Sequence, residues 1–450
     1  PWQGEAGVKP LSEALPHPAP LLRKQFKVQK EIKSAYLYTT GLGYFEVYCN
    51  GNKVSDDVLV PNQSLWGKRE DLHKYGIPVQ DNFTEYRVFY LCYDLTKDLK
   101  PGANALGAIL GNGFYNSASR WVLSFGTPRL LAQLEISYTD GTSETVVTDE
   151  SWKVEKGPIV FDMLYDGEHY DARLEYPGWS TAGFDDSNWL NATFRKAPEG
   201  KMKAQMSYSD KVMEQLKPVT IERLENGRYR VDFGEEISGW VRLSGIMGKA
   251  GHRIRLHYLS ESPNGANSYT LNGSGNESYA ARFTWVVFRT VEIEGWPGEL
   301  TAENLIAEAV NTAVGTIGEF KSSNPLFNKI NTIWKRTQLD NMHGGIASDC
   351  PHRERNAYTG DGQVVMSTVT HHFDVAAFYK KWIEDIAGAQ DKTTGYVPNG
   401  APWQPGCGGG VAWGAAISIM PWEFYQAYGD KDILASTFEG MKGYLNYMRQ

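Results

Sequence analysis

The sequence predicts a multidomain β + α protein, two β-sandwich domains followed by the first part of a helical toroid. Three observations carry this. From Leu21 to about Val310 the apolar residues recur with period two between Gly, Asn and Asp turns. After about Ala313 the period becomes helical. The helices are then separated by long segments rather than tight turns, which no simple bundle requires. With 450 residues, the chain fits about three domains at roughly 150 residues each.

Residues 1–20 are rich in Pro, Ala and polar residues and read as an extended lead-in to a first sandwich spanning 1–217. Ala35-Tyr-Leu-Tyr, Phe45-Glu-Val-Tyr, Tyr86-Arg-Val-Phe-Tyr and Leu134-Glu-Ile-Ser-Tyr alternate, with turns at Asn50-Gly51, Pro101-Gly102 and Asp140-Gly141. A second sandwich covers 218–312, where Tyr229-Arg-Val-Asp-Phe, Trp240-Val-Arg-Leu, Ile254-Arg-Leu-His-Tyr and Phe288-Arg-Thr-Val-Glu-Ile repeat the pattern. Helices occupy 313–450. The first starts at Ser323-Asn324-Pro325, a cap followed by proline in the first turn, with Leu326, Ile330, Ile333, Trp334 and Thr337 on one face. The second runs from about Asp361 to Ala389. The third runs from about Trp413 to Tyr428, contains Pro421 and stops at Gly429. The fourth starts near Asp430 and carries Leu434, Phe438, Met441, Leu445 and Met448 on its stripe. That pattern is still running at Gln450, so the toroid is expected to be truncated here.

Hydrophobic content of 41% and charged content of 22% are those of an ordinary globular protein. A net charge of −8 argues against a nucleic-acid partner, because a phosphate backbone needs a basic face. No run of about 18 apolar residues exists, so no membrane span is expected. With 14 Trp, 25 Tyr and 18 Phe, the aromatic content exceeds what cores alone require and favours carbohydrate binding. Cys49, Cys92, Cys350 and Cys407 have no metal spacing and are expected to be buried free thiols. No dinucleotide, P-loop or HExxH motif occurs, so no cofactor and no metal are required. The chain begins at Pro1 without a visible signal peptide and is expected to be processed or a fragment.

The most informative stretch is Ser348-Asp-Cys-Pro-His-Arg-Glu-Arg-Asn-Ala-Tyr-Thr-Gly-Asp-Gly-Gln363. It gathers Asp349, Glu354, Asp361, Arg353, Arg355 and Tyr358 on a segment broken by Pro351, Gly360 and Gly362. Charged groups on an irregular segment between helices form either an active site or a surface salt-bridge cluster. This string resembles the signature of bacterial α-L-rhamnosidases, glycoside hydrolase family 78. Gly41–Gly51, Gly111–Tyr115, Asp166–Arg173, Phe184–Trp189, Val231–Trp240, Trp413-Gly-Ala and Pro421-Trp through Tyr428-Gly-Asp430 extend the likeness over nearly the whole chain. His352 stands where the family usually has glutamine, Asn356-Ala357-Tyr358 replaces Leu-Gly-Trp, and Ala415 replaces a common aspartate.

The resemblance implies a first domain of galactose-binding type, an (α/α)6 catalytic toroid, and hydrolysis of terminal α-L-rhamnose with inversion. It implies Glu354 as general acid, with Asp349, Arg353, Tyr358 and Asp361 as sugar contacts. It puts the general base on a later glutamate, to which no residue of this chain corresponds. The implied partner is a rhamnose-containing oligosaccharide, polysaccharide or glycoside. Inverting carboxyls stand about 6.5–9.5 Å apart so that water fits between acid and sugar. The acid must hold its proton near neutrality, yet a neighbouring cation lowers a carboxyl pKa. Arg353 and Arg355 are therefore expected to turn toward Asp349 and Asp361, leaving Glu354 beside another carboxylate or in an aromatic pocket.

Trp413 and Trp403 flank a glycine-rich loop (Gly406, Gly408–Gly410) and are candidates for stacking on sugar. Asp166-Gly-Glu168 is a candidate calcium or carbohydrate site of the first sandwich. The alternatives to a rhamnosidase are a carbohydrate-binding protein without catalysis and a toroid glycosidase or lyase acting on another sugar. The oligomeric state is open. Analogy with exported polysaccharide enzymes favours the periplasm or the outside over the cytoplasm.

Overall fold

The computed structural model describes residues 18–67, 85–117, 124–260, 265–404 and 407–450. Most of the expected lead-in (1–17) and Gly406 lie outside the described residues.

The first domain is a sandwich. Its six-stranded sheet runs in the order Leu190–Asn191, Lys153–Lys156, Pro20–Val28, Gly102–Gly111, Tyr44–Cys49, Asn52–Lys53. Its five-stranded sheet runs Lys201–Ala204, Arg87–Asp94, Ile32–Leu42, Arg129–Tyr138, Ser143–Val147. Period-two alternation is direct: Leu134 and Ile136 are fully buried, while Gln133 and Glu135 face solvent. Asn50 and Gly51 both take positive φ, as a two-residue hairpin turn demands.

The second β region is built around one bent strand, Tyr229–Ile246. Its first half lies between Thr220–Arg223 and Val286–Glu294; its second half lies between Glu277–Tyr279 and Leu305–Thr312. The two layers thus share a strand and curl around Val231, Ile237, Leu243, Ile254, Phe288 and Ala307. Register slips between Asp232 and Ile237, and Gly239 sits at the bend with φ +152, where a Cβ would come within 1.9 Å of the Glu308 carbonyl. Three strands within the span expected for the first sandwich (1–217) join this sheet instead. Ile159–Met163 and Gly167–Asp171 enter through a parallel pairing with Ala266–Thr270, and Asp210–Leu216 pairs with Leu305–Thr312. Alternation identifies a strand but not its sheet, so the expected boundary at 217/218 does not separate the packing units. Leu21, Tyr44 and Ile109 of the first sandwich belong to the same buried cluster as the second sheet.

Among the described residues six α-helices follow: α1 (Pro325–Asp340), α2 (Thr359–His372), α3 (Ala376–Gly388), α4 (Val411–Gly414), α5 (Ala416–Tyr428) and α6 (Lys431–Met448). Asn324 caps α1 by accepting from Leu326 N, and Asp430 caps α6 by accepting from Asp432 N and Ile433 N. Gly429, at φ +70, ends α5. The single helix expected over 361–389 is two. It breaks at Phe373–Val375, where Ile317 N donates to His372 O and Asp374 N to Gly315 O, pulling the chain out of helical geometry. The helical core joins Met366, Val369, Tyr379, Trp382, Ile386, Met420 and Phe424.

Two expected apolar stripes face outward. Leu326, Ile330 and Ile333 of α1 are each more than half exposed, because α1 is anchored by its last turn: Asp340 accepts from Ser238 N, and Arg336 pairs with Glu235 and Glu214. In α6 the inward residues are Ile433, Thr437 and Tyr444, while Phe438, Leu445 and Met448 are exposed. No helix among the described residues is long and apolar enough to cross a membrane.

Candidate active site

The segment 349–358 crosses from the short hairpin Met342–His343/Ile346–Ala347 to the start of α2. It cannot be helical, since Pro351 and the left-handed Arg355 (φ +53) interrupt it. Its hairpin is pinned to the β region by His343, which stacks on Trp285 at 3.9 Å, with Nδ1 3.0 Å from Asp210 and Nε2 2.9 Å from Ser238 Oγ.

Arg355 holds the segment from beneath. Its side chain is almost wholly buried, 4.1 Å above the Trp285 ring and 5.3 Å from that of Tyr165. Nε donates to Pro351 O at 3.0 Å and Nη1 donates to Leu164 O. Burial pushes this guanidinium down to about 10. Tyr165 adds a hydrogen bond from its hydroxyl to Glu354 O at 2.7 Å. The expectation that both arginines would turn to Asp349 and Asp361 therefore fails. Arg355 belongs to the domain junction, and Arg353 pairs with Glu354 itself, through Nε and, at 2.8 Å, through Nη2.

This changes the electrostatics of the candidate acid. Burial raises the Glu354 carboxyl, but the Arg353 ion pair and the Cys350 thiol outweigh it and hold Glu354 below the ordinary carboxylate range. Cys350 Sγ lies 2.9 Å from Glu354 Oε2 and 3.3 Å from Asp349 Oδ2, so its single proton links two carboxylates. Burial and those two carboxylates raise the thiol itself. Asp349 moves the opposite way from Glu354: burial first, then the Glu354 charge, push it up to about 6. Of the pair, Asp349 carries the more basic carboxyl. Asp349, Cys350 and Glu354 place one ligand atom each within 4.8 Å of one another, the set able to hold a metal among the described residues. Cys350, expected only as a buried free thiol, is half-buried and belongs to this cluster; its position four residues before Glu354 is the sequence signal for it.

Across the segment, Asp361 sits in the first turn of α2 and accepts from Trp413 Nε1 at 3.2 Å. The Trp413 ring lies on Gly360, where a Cβ would be 2.7 Å away, so this approach needs glycine. Tyr358 stands at the helix cap, bridges to Gly400 and is near enough to Glu354 and Asp349 for their charges, after burial, to raise its phenol. Thr359 Oγ1 donates to the carbonyls of Asn399 and Trp413, tying α2, the 399–400 segment and α4 together. The fold thus brings Asp349, Arg353, Glu354, Tyr358, Asp361 and Trp413 to one place. Arg353 and Trp413 remain partly exposed there.

Other expectations fall elsewhere. Trp403 is fully buried in the helical core. Cys92 is exposed rather than buried. Asp166-Gly-Glu168 lies in the second sheet, not the first sandwich, and the Glu168 carboxylate accepts from Arg282 N at 3.0 Å, Phe283 N at 3.1 Å and Tyr279 Oη at 3.2 Å. Its oxygens serve protein donors.

Three family descriptions match in succession: the alpha-L-rhamnosidase N-terminal domain over residues 30–214, the bacterial alpha-L-rhamnosidase concanavalin-like domain over 222–311, and the bacterial alpha-L-rhamnosidase 6 hairpin glycosidase domain over 315–450. An alpha-L-rhamnosidase of Formosa agariphila is 34% identical over 95% of this chain and 47% of its own length. Among solved structures, the alpha-L-rhamnosidase of Dictyoglumus thermophilum aligns with TM-score 0.87 at 36% identity, covering 96% of this chain and 48% of that one. That of Streptomyces avermitilis, solved in complex with L-rhamnose, aligns with TM-score 0.89 at 33% identity, covering 97% and 42%. The chain spans about half the length of the curated relatives it matches. By its sequence, its succession of domains and its fold, the chain belongs to the bacterial α-L-rhamnosidase family.

Proposed function

We propose that this chain is the acid-bearing part of an inverting α-L-rhamnosidase, releasing terminal α-L-rhamnose from a glycoside or saccharide. The observation that carries the proposal is the convergence of Asp349, Glu354 and Asp361 with Trp413 at the break between α1 and α2. In this reading Glu354 protonates the departing oxygen, Asp349 and Asp361 accept from sugar hydroxyls, and Tyr358 and Trp413 offer ring faces to the C–H face of the pyranose. Glu354 is paired with Arg353, whose side chain is half exposed. The incoming sugar draws Arg353 onto its own oxygens, which frees Glu354 to take up a proton. No residue of this chain is assigned as the carboxylate that activates water.

A second assignment has its own support: Asp349, raised to about 6 by burial and by Glu354, already holds a proton more readily. The two are separated by replacing each in the protein isolated from its own source and following hydrolysis of an aryl α-L-rhamnoside against pH. Glu354→Gln should lower kcat by about 10²–10⁴-fold with little change in KM. An unchanged rate in Glu354→Gln, with loss of the alkaline limb in Asp349→Asn, would transfer the acid role to Asp349. Proton NMR of the first-formed sugar reads the stereochemistry, and appearance of the α-anomer first would refute inversion.

A further inference from the structure

A cleft of about 950 Å³ opens between the first sandwich and the curled sheet, far in sequence from the segment 349–361 and sharing no residue with it. Its size is that of a ligand site rather than a packing defect. Arg282 lines it. Only Nη1 of this guanidinium is engaged by side chains, at 2.6 Å from Glu46 Oε2 and 2.7 Å from Tyr48 Oη; Nε and Nη2 make no hydrogen bond among the described residues. Glu46 is fixed from its other side by Lys53 at 2.9 Å. Arg242, which also lines the cleft, grips Glu308 through Nε at 2.7 Å and Nη2 at 3.0 Å. Glu308 is itself held by Trp240 Nε1 at 2.6 Å. These are rigid, pre-oriented donors and acceptors, each locked by a neighbour.

The cleft continues into an adjoining nook of about 210 Å³ that shares Tyr170, Glu175 and Arg282 with it. Half-buried rings line this nook: Tyr176, Trp179, and Tyr48, which meets Trp179 edge-on at 5.5 Å. Mixed donors and acceptors beside partly exposed aromatic faces match a ring with hydroxyls on its edge and C–H groups on its face. Carboxylates outnumber cations in the lining, which disfavours an anion.

We infer that this interdomain cleft is a second carbohydrate-binding site, taking several units of a neutral saccharide chain across Arg282 onto Trp179. It does not depend on the assignment of Glu354. The test is affinity electrophoresis of the full chain through gels carrying arabinoxylan, galactomannan or mixed-linkage glucan, with polygalacturonate as the anionic counterpart. At least one neutral polymer should retard the chain. Ser278→Trp, which puts an indole into the cleft from an exposed strand position, and Trp179→Ala should each weaken retardation about tenfold or more while retaining the thermal melt of the parent. Glu354→Gln should migrate like the parent. The inference is overturned if no neutral polymer retards the chain, if only polygalacturonate does, or if both cleft variants bind like the parent. An effect of Glu354→Gln equal to that of Trp179→Ala would relocate the binding to the 349–361 segment.

Discussion

At the scale of single residues, the site is organised by how two neighbouring arginines are spent. Arg353 and Arg355 flank the same glutamate in sequence and have opposite fates. Arg353 reaches Glu354 from the solvent side, while Arg355, in left-handed backbone geometry, turns beneath the loop onto Trp285 and Tyr165. Replacing Arg353 with Ala removes the partner that holds Glu354 low. The Glu354 carboxyl should then titrate at higher pH, as read by carbon NMR of its side chain; an unchanged titration would show that Cys350 and local backbone set its charge. Replacing Arg355 with Ala strips a buried cation from two aromatic rings and leaves Pro351 O unpaired, while Leu164 O keeps its hydrogen bond from Thr284 Oγ1 at 3.1 Å. Each unpaired buried carbonyl costs about 1–3 kcal/mol. We expect about 1–3 kcal/mol lost in urea unfolding, together with loosening of the loop.

At the scale of elements, burial rather than propensity decides which helix face matters. The faces carrying Ile330 and Ile333 on α1 and Phe438 and Leu445 on α6 are exposed. In this chain Ile330→Lys should change stability by no more than about 0.5 kcal/mol, as for a surface position. Trp382→Ala, in the middle of the α2–α3–α5 core, should cost about 3–5 kcal/mol. Comparing urea midpoints of the two variants checks this; a large loss in Ile330→Lys would mean that α1 docks its apolar face in solution. The bend of Tyr229–Ile246 is equally local in cause. A methyl at Gly239 would collide with the Glu308 carbonyl, so Gly239→Ala must either open the curl or break the pairing with Leu305–Thr312.

At the scale of the whole molecule, the domains are joined by buried ionisable groups, and these set its response to pH. Burial pushes Asp162 up to about 8, and Glu168 and Asp340 up to about 7. Their ordinary values lie near 4, so between roughly pH 4 and 8 the native state keeps protons that the unfolded chain has released. Their contribution is complete below about pH 4 and is lost as pH rises through 7–8. Glu46 acts in the other direction. Burial raises it, but Arg282 and Lys53 outweigh this and bring it down to about 2, so its contribution is lost as pH falls from about 4.5. Stability should therefore peak near pH 4–5 and decline toward pH 8. Urea midpoints across that range measure the slope, and Asp162→Asn should flatten it. A midpoint that rises from pH 5 to 8 would contradict the assignment.

The succession of β regions followed by helices, and many of the strands and helix starts, were legible in the sequence, which also offered Asp349, Glu354, Tyr358, Asp361 and Trp413 as candidates that the fold places near one another. Alternation, caps and a dense charged motif are local patterns, fixed by residues within a few positions of each other. Three matters were decided only by the tertiary structure: which sheet receives Gly167–Asp171 and Asp210–Leu216, which faces of α1 and α6 are covered, and where Arg353 and Arg355 point. Each depends on partners that the chain brings from far away, such as Leu164 and Trp285 for Arg355, and a linear pattern holds no record of them. The same distance effect sets the charge of the site, because desolvation and the approach of one carboxyl to another exist only once the segments have packed.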